Sequence, residues 1–135
     1  MSAHHSQYQS AIARVRGKGS ARSGTMHWWW QRLTAIALIP LGLWVMIQAF
    51  RIAGASYSEL MLWFSSSVNA ILLGAFLIAG FYHAMLGLQV VLEDYVHTPW
   101  VKLVSLIAVK LVGILLCMTG LFLIIRLVIA AQSGG

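Results

Sequence analysis

The chain has 135 residues, of which 60% are hydrophobic and only 9% are charged. An ordinary soluble domain is about half apolar and about a quarter charged, so a water-soluble fold of this length could not hide so much apolar surface. Nine Lys and Arg against three Asp and Glu give a net charge of +6. No nucleic-acid-binding motif accompanies these charges, and most of them lie near the amino terminus, so the composition indicates an integral membrane protein and no nucleic-acid partner.

Residues 1–26 are polar, basic and rich in Gly and Ser, and we predict a flexible cytoplasmic tail there. The basic residues before the first apolar stretch are Arg14, Arg16, Lys18 and Arg22. Under the positive-inside rule they place the amino terminus in the cytoplasm, together with the connection that carries Lys102.

Residues 27–135 are predicted to form an all-α membrane domain, a bundle of three transmembrane helices. The predicted helices run over about 28–51, 63–93 and 101–131, and each exceeds the roughly 20 residues needed to cross the hydrocarbon. Pro40 is predicted to kink the first helix, because it removes one backbone donor. Lipid is therefore an expected partner of most of the chain.

His83 is the only histidine at mid-membrane depth, roughly ten residues and 15 Å inside the second predicted helix. An ionisable group at that depth is energetically unfavourable and is a functional candidate by default. An interhelical hydrogen bond that holds the bundle together explains it equally well from position alone. Gly87, one turn further on, leaves room for a flat macrocycle against the helix while the imidazole reaches its iron. Small residues at this spacing also favour helix packing, so both interpretations stay open.

The same helix ends in two polar side chains that a second site could use. Asp94 lies eleven residues after His83, which returns it to within about 20° of the same helical face. Tyr95 follows with a phenol hydroxyl at the bilayer boundary, where an amphipathic ring is stable. Without further context, a solvated helix end and an interfacial tyrosine are the favoured explanations of these two residues.

Arg32 lies more than one turn inside the first predicted helix. Its long side chain either snorkels to lipid headgroups or faces the bundle and pairs with an anionic group of a cofactor. Gln31 and His27 lie close enough in sequence to assist the second role. The residues alone leave this choice open.

Residues 27–36, HWWWQRLTAI, and residues 83–95, HAMLGLQVVLEDY, resemble the smaller hydrophobic membrane-anchor subunit, often called the D subunit, of succinate dehydrogenase (respiratory complex II). The pattern H-x-x-x-G-x-x-x-x-x-x-D-Y on the middle of three helices is the more specific part. The resemblance covers the chain from about residue 24 onward. The larger anchor subunit carries a serine and a His-Arg pair before T-G, so the smaller subunit fits better.

The resemblance implies a role for each of the residues singled out above. His83 matches an axial ligand to the iron of haem b, Gly87 would pack against the haem, and Arg32 matches an arginine near the haem propionates. Tyr95 matches the tyrosine that hydrogen-bonds a ubiquinone carbonyl, and Asp94 matches its acidic neighbour in the ubiquinone site. Haem b is thus the implied cofactor and ubiquinone the implied substrate.

The resemblance also implies partners and a location. A second membrane-anchor (cytochrome b) subunit, an iron–sulfur subunit and a flavoprotein subunit would complete a succinate:ubiquinone oxidoreductase in a bacterial inner membrane. The chain would anchor this enzyme without carrying catalytic residues of its own. Two alternatives are a b-type cytochrome anchor of another respiratory dehydrogenase, such as fumarate reductase, and a non-redox membrane scaffold.

Overall fold

The computed structural model describes residues 22–133, with side chains from residue 25 onward. This part of the chain consists of four helices: α1 Arg22–Ile52, α2 Tyr57–Ser65, α3 Ser67–Tyr95 and α4 Pro99–Ser133. The helices α1, α3 and α4 contain 31, 29 and 35 residues, and each is long and apolar enough to cross a membrane. The predicted all-α fold with three membrane-spanning helices is confirmed.

The observed helix bounds differ from the predicted ones mainly at the amino-terminal ends. α1 begins at Arg22, six residues before its predicted start, so residues 22–26 of the predicted tail are helical. The rest of that tail, residues 1–21, lies outside the described residues. α1 continues through Pro40 as one helix. The second span begins at Ser67 instead of Trp63, because residues 57–65 form a separate short helix.

The connection between α1 and α2 ends one helix and begins the next. Gly54 has a φ of +83°, the left-handed conformation that commonly terminates a helix and that glycine adopts without strain. Ser56 then caps α2, since its hydroxyl accepts from the backbone N–H of Glu59 while the Glu59 carboxylate accepts from the Ser56 backbone N–H. These bonds satisfy donors that the first turn of a helix leaves free.

α3 lies between the other two long helices. It packs against α1 on one side and against α4 on the other, while α2 packs against α4 and the start of α3. Glycines allow the close approach of α3 and α4: a Cβ atom at Gly113 would lie 2.5 Å from Met85 Sδ, and one at Gly120 would lie 2.7 Å from Leu77 Cδ1. Small residues at such contacts are typical of helices that associate in membranes.

The bundle has almost no interior of its own. Among residues 25–133, the buried positions are Thr34, Leu86, Gly113 and Ile124. Large apolar side chains are exposed along all three long helices. Lipid tails and other apolar helices are therefore the surroundings in which this surface is stable.

Candidate functional site

The polar contact at the centre of the bundle joins α3 to α1. Nδ1 of His83 lies 3.0 Å from Oγ1 of Thr34. Thr34 is buried, with 9% of its surface exposed, and its hydroxyl also lies 2.8 Å from the carbonyl oxygen of Trp30 and 3.1 Å from that of Gln31. This is the only hydrogen bond of the His83 side chain among the described residues. Nε2 is thus the ring nitrogen left for another ligand.

Gly87 lies one turn from His83 on α3, and the side chain of Gln31 from α1 faces it. A Cβ atom at Gly87 would meet Gln31 Nε2 at 4.0 Å, an ordinary van der Waals distance. Gly80 stands in the same relation to Leu38, at 3.9 Å. The two glycines thus face side chains of α1 on either side of the contact between Thr34 and His83. The packing of Gly87 against a haem stays a prediction.

The structure does not bring Arg32 beside His83. Arg32 lies two positions before Thr34, which turns the arginine by about 200° around α1, and its guanidinium lies 4.5 Å from the centre of the Trp28 ring. On the inner face of α1 lie Gln31 and His27, and Nε2 of His27 is buried without a hydrogen-bond partner among the described residues. The role of Arg32 at a propionate stays a prediction.

Asp94 and Tyr95 lie at the end of α3, which runs without interruption from His83 to both of them. Both side chains are exposed, Tyr95 by 79%, and neither has a hydrogen-bond partner within residues 22–133. The neighbouring Glu93 differs, because its carboxylate accepts a 2.8 Å bond from Gln89 Nε2. Asp94 and Tyr95 are therefore the polar groups at this helix end that remain available to a ligand or partner.

The described residues contain no group of three or more His, Cys, Asp or Glu side chains arranged to hold a metal ion. Metal ligation by this part of the chain would therefore rest on isolated side chains such as His83. Thr34 is the residue of the site whose role the sequence did not predict. The sequence did contain a signal for Thr34: a hydroxyl side chain in an apolar helix, within the segment 27–36 that resembles the family.

The comparison with protein families matches residues 6–117 to the succinate dehydrogenase/fumarate reductase transmembrane subunit family. This match includes α1, α2, α3 and the first half of α4, and with them every candidate residue described above.

Individual relatives show the same similarity. The chain is 38% identical over 110 residues to the succinate dehydrogenase hydrophobic membrane anchor subunit of Rickettsia bellii (strain RML369-C), which covers 80% of this chain and 86% of the relative. It is 33% identical over 81 residues to the protein of the same name from Paracoccus denitrificans, covering 60% and 63% of the two chains. The succinate dehydrogenase membrane anchor subunit of Reclinomonas americana is 29% identical over 96 residues, covering 69% and 80%. No solved structure matches the chain.

Proposed function

Because the chain belongs to the succinate dehydrogenase/fumarate reductase transmembrane subunit family, as a succinate dehydrogenase membrane anchor, we propose that His83 ligates haem b and that Asp94 and Tyr95 help form the ubiquinone-reduction site. The family and the three apolar helices make it a multi-pass inner-membrane protein whose complex partners include the catalytic subunits. The proposal extends this to an iron–sulfur subunit, a flavoprotein subunit and a second, cytochrome b anchor subunit.

The observation that carries the haem proposal is the state of the His83 ring. Its Nδ1 is engaged by Thr34 and its Nε2 is free among the described residues, which is how histidine ligands of metals are commonly held. α3 contains no second histidine, and the partner anchor would supply a further ligand to the iron. Haem b, when bound, supplies one-electron redox chemistry. His83 would hold the iron from this chain.

The quinone proposal rests on the pair of unpartnered side chains at the end of α3. The Tyr95 hydroxyl would donate a hydrogen bond to a ubiquinone carbonyl, and the Asp94 carboxyl would exchange protons with water. Reduction of ubiquinone to ubiquinol takes two electrons and two protons, so the site needs both an electron donor and access to water. The iron–sulfur subunit would supply the electrons, and the exposed end of α3 meets water at the interface.

Replacement of His83 tests the haem proposal directly. We expect His83→Ala to abolish the b-type signal in the reduced-minus-oxidised optical spectrum of the purified complex, measured per flavin. His97→Ala is the matched control, because His97 is an exposed loop residue, and it should keep the full signal. An unchanged haem signal in the His83→Ala complex would remove the axial-ligand assignment.

The hydrogen bond between Thr34 and His83 also supports a second candidate, a non-redox scaffold in which His83 joins two helices. The two functions differ in the wild-type complex itself. A scaffold gives no b-type difference spectrum, and His83→Ala then lowers only the thermal stability of the assembly.

A further inference from the structure

We propose that Thr34 is a positioning residue for His83: its hydroxyl oxygen fixes the imidazole in the tautomer and ring orientation that leave the Nε2 lone pair free for iron. The inference rests on the proposed haem function and deepens it. It assigns a task to a buried polar residue on a different helix from the ligand.

The proton positions follow from the neighbours of the Thr34 hydroxyl. A hydroxyl carries one proton, and both backbone neighbours of Oγ1, the carbonyl oxygens of Trp30 at 2.8 Å and Gln31 at 3.1 Å, can only accept. The hydroxyl proton therefore points along α1 towards these carbonyls, as is common for threonine inside a helix. Oγ1 faces His83 with a lone pair and accepts the Nδ1–H of the ring. A neutral imidazole protonated on Nδ1 has its free lone pair on Nε2.

The location of this bond makes it effective. Thr34 is buried where α1 faces α3, with 9% of its surface exposed, so water has little access to its bond with the imidazole. Without the threonine hydroxyl, the ring would gain freedom to rotate and to carry its proton on either nitrogen. Gln31 and Leu38 of α1 face Gly87 and Gly80 of α3 on either side of this contact, and such packing would keep the hydroxyl opposite the ring.

The test compares two substitutions of Thr34 in the complete membrane complex. Thr34→Val keeps the shape of the side chain and removes the acceptor, whereas Thr34→Ser keeps the hydroxyl. The readouts are the rate at which haem is lost to excess apomyoglobin and the electron paramagnetic resonance spectrum of the ferric haem, which reports the orientation of the axial ligands. Partners of this kind contribute about ten- to hundredfold to metal affinity. We expect Thr34→Val to lose haem about ten- to hundredfold faster and to shift the spectrum, and Thr34→Ser to resemble the wild type.

Thr119→Val is the matched control. Thr119 makes the same bond within its own helix, from Oγ1 to the Leu115 carbonyl oxygen at 2.8 Å, but it is exposed on α4 and does not contact His83. Wild-type haem loss and an unshifted spectrum in Thr34→Val would overturn the inference. Should Thr34→Val fail to assemble, Thr34→Cys, with a similar volume and a weak acceptor, provides the measurement, and wild-type behaviour there overturns the inference equally.

The His83→Ala complex separates this inference from the proposed function. If His83→Ala keeps its haem, the haem assignment itself is wrong. If His83→Ala loses the haem while Thr34→Val and Thr34→Cys retain it as the wild type does, only the role of Thr34 is wrong.

Discussion

Tyr95 is 79% exposed at the end of α3, and its phenol has no partner among the described residues. A hydroxyl that contributes nothing to the packing of its own chain can be removed without disturbing the helix. Its loss therefore reports on whatever the hydroxyl meets in the assembled complex. Asp94 stands in the same situation one residue earlier.

Tyr95→Phe should lower quinone reduction by the complex about tenfold or more, because the phenol O–H that would hydrogen-bond the quinone carbonyl is lost. Succinate oxidation with an artificial soluble electron acceptor should stay unchanged, since that route bypasses the quinone. Tyr82→Phe is the control: Tyr82 packs edge-on against Trp30, and the same hydroxyl deletion there should leave both activities intact. Equal loss of both activities in Tyr95→Phe would indicate failed assembly and contradict the assignment.

Single residues could be predicted from the sequence where the free-energy cost of burying them depends only on their depth in the membrane. His83 stood out because an ionisable group far inside an apolar helix is unfavourable wherever the helix points. The Thr34–His83 contact was not predictable, because it depends on how α1 is rotated against α3. For the same reason the sequence left open which way Arg32 points, and the structure directs it to Trp28.

At the level of elements, the three long helices followed from runs of apolar residues, whereas α2 did not. Its last residues, 63–65, are apolar enough that they were predicted to belong to the second span. The structure separates them at Ser66, which has extended backbone angles, φ −74° and ψ 113°. The side chain of Asn69 donates to the carbonyl oxygen of Trp63, which the end of α2 leaves without a helical partner. The stacked rings of Trp44 and Trp63 then hold α2 against α1.

The cap of α2 has a defined pH dependence. The bonds from the Ser56 backbone N–H and hydroxyl to its carboxylate lower the pKa of Glu59 below 4.5 in the folded helix. A lowered folded-state pKa means that the stabilisation is complete above the unfolded pKa and is lost as the pH falls through the folded value. We expect hydrogen-exchange protection of residues 57–65, corrected for intrinsic exchange rates, to decrease in the wild type as the pH falls below 4.5 and through the lowered pKa of Glu59.

Glu59→Gln should remove this acid-dependent step and leave α2 less protected at neutral pH. Glu93→Gln, which removes a carboxylate at the opposite end of the neighbouring span, serves as the control and should leave the pH profile of α2 unchanged. An acid-dependent step that persists in Glu59→Gln would show that another group titrates.

For the whole molecule, the distribution of basic residues predicts the orientation. Four basic residues precede the first predicted span and Lys102 follows α3, while the connection between α1 and α2 has only Arg51 beside it. The amino terminus and the turn between α3 and α4 should therefore face the cytoplasm, and Ser133 the periplasm.

Alkaline phosphatase fused after Ser133 or after Ala53 should be active, because the enzyme folds only when exported. The same enzyme fused after His97 should be inactive. Activity after His97 alone would reverse the orientation, and with it the side of the membrane on which Tyr95 meets ubiquinone.

The near absence of buried residues has a consequence for the abundance of the protein in the cell. With four buried positions among residues 25–133, most of what stabilises the native arrangement comes from lipid and neighbouring subunits. The abundance of such a protein follows the supply of its assembly partners more than the rate of its own synthesis. A copy translated in excess would keep this apolar surface uncovered, and we expect membrane-bound proteases to degrade it faster than the assembled subunit.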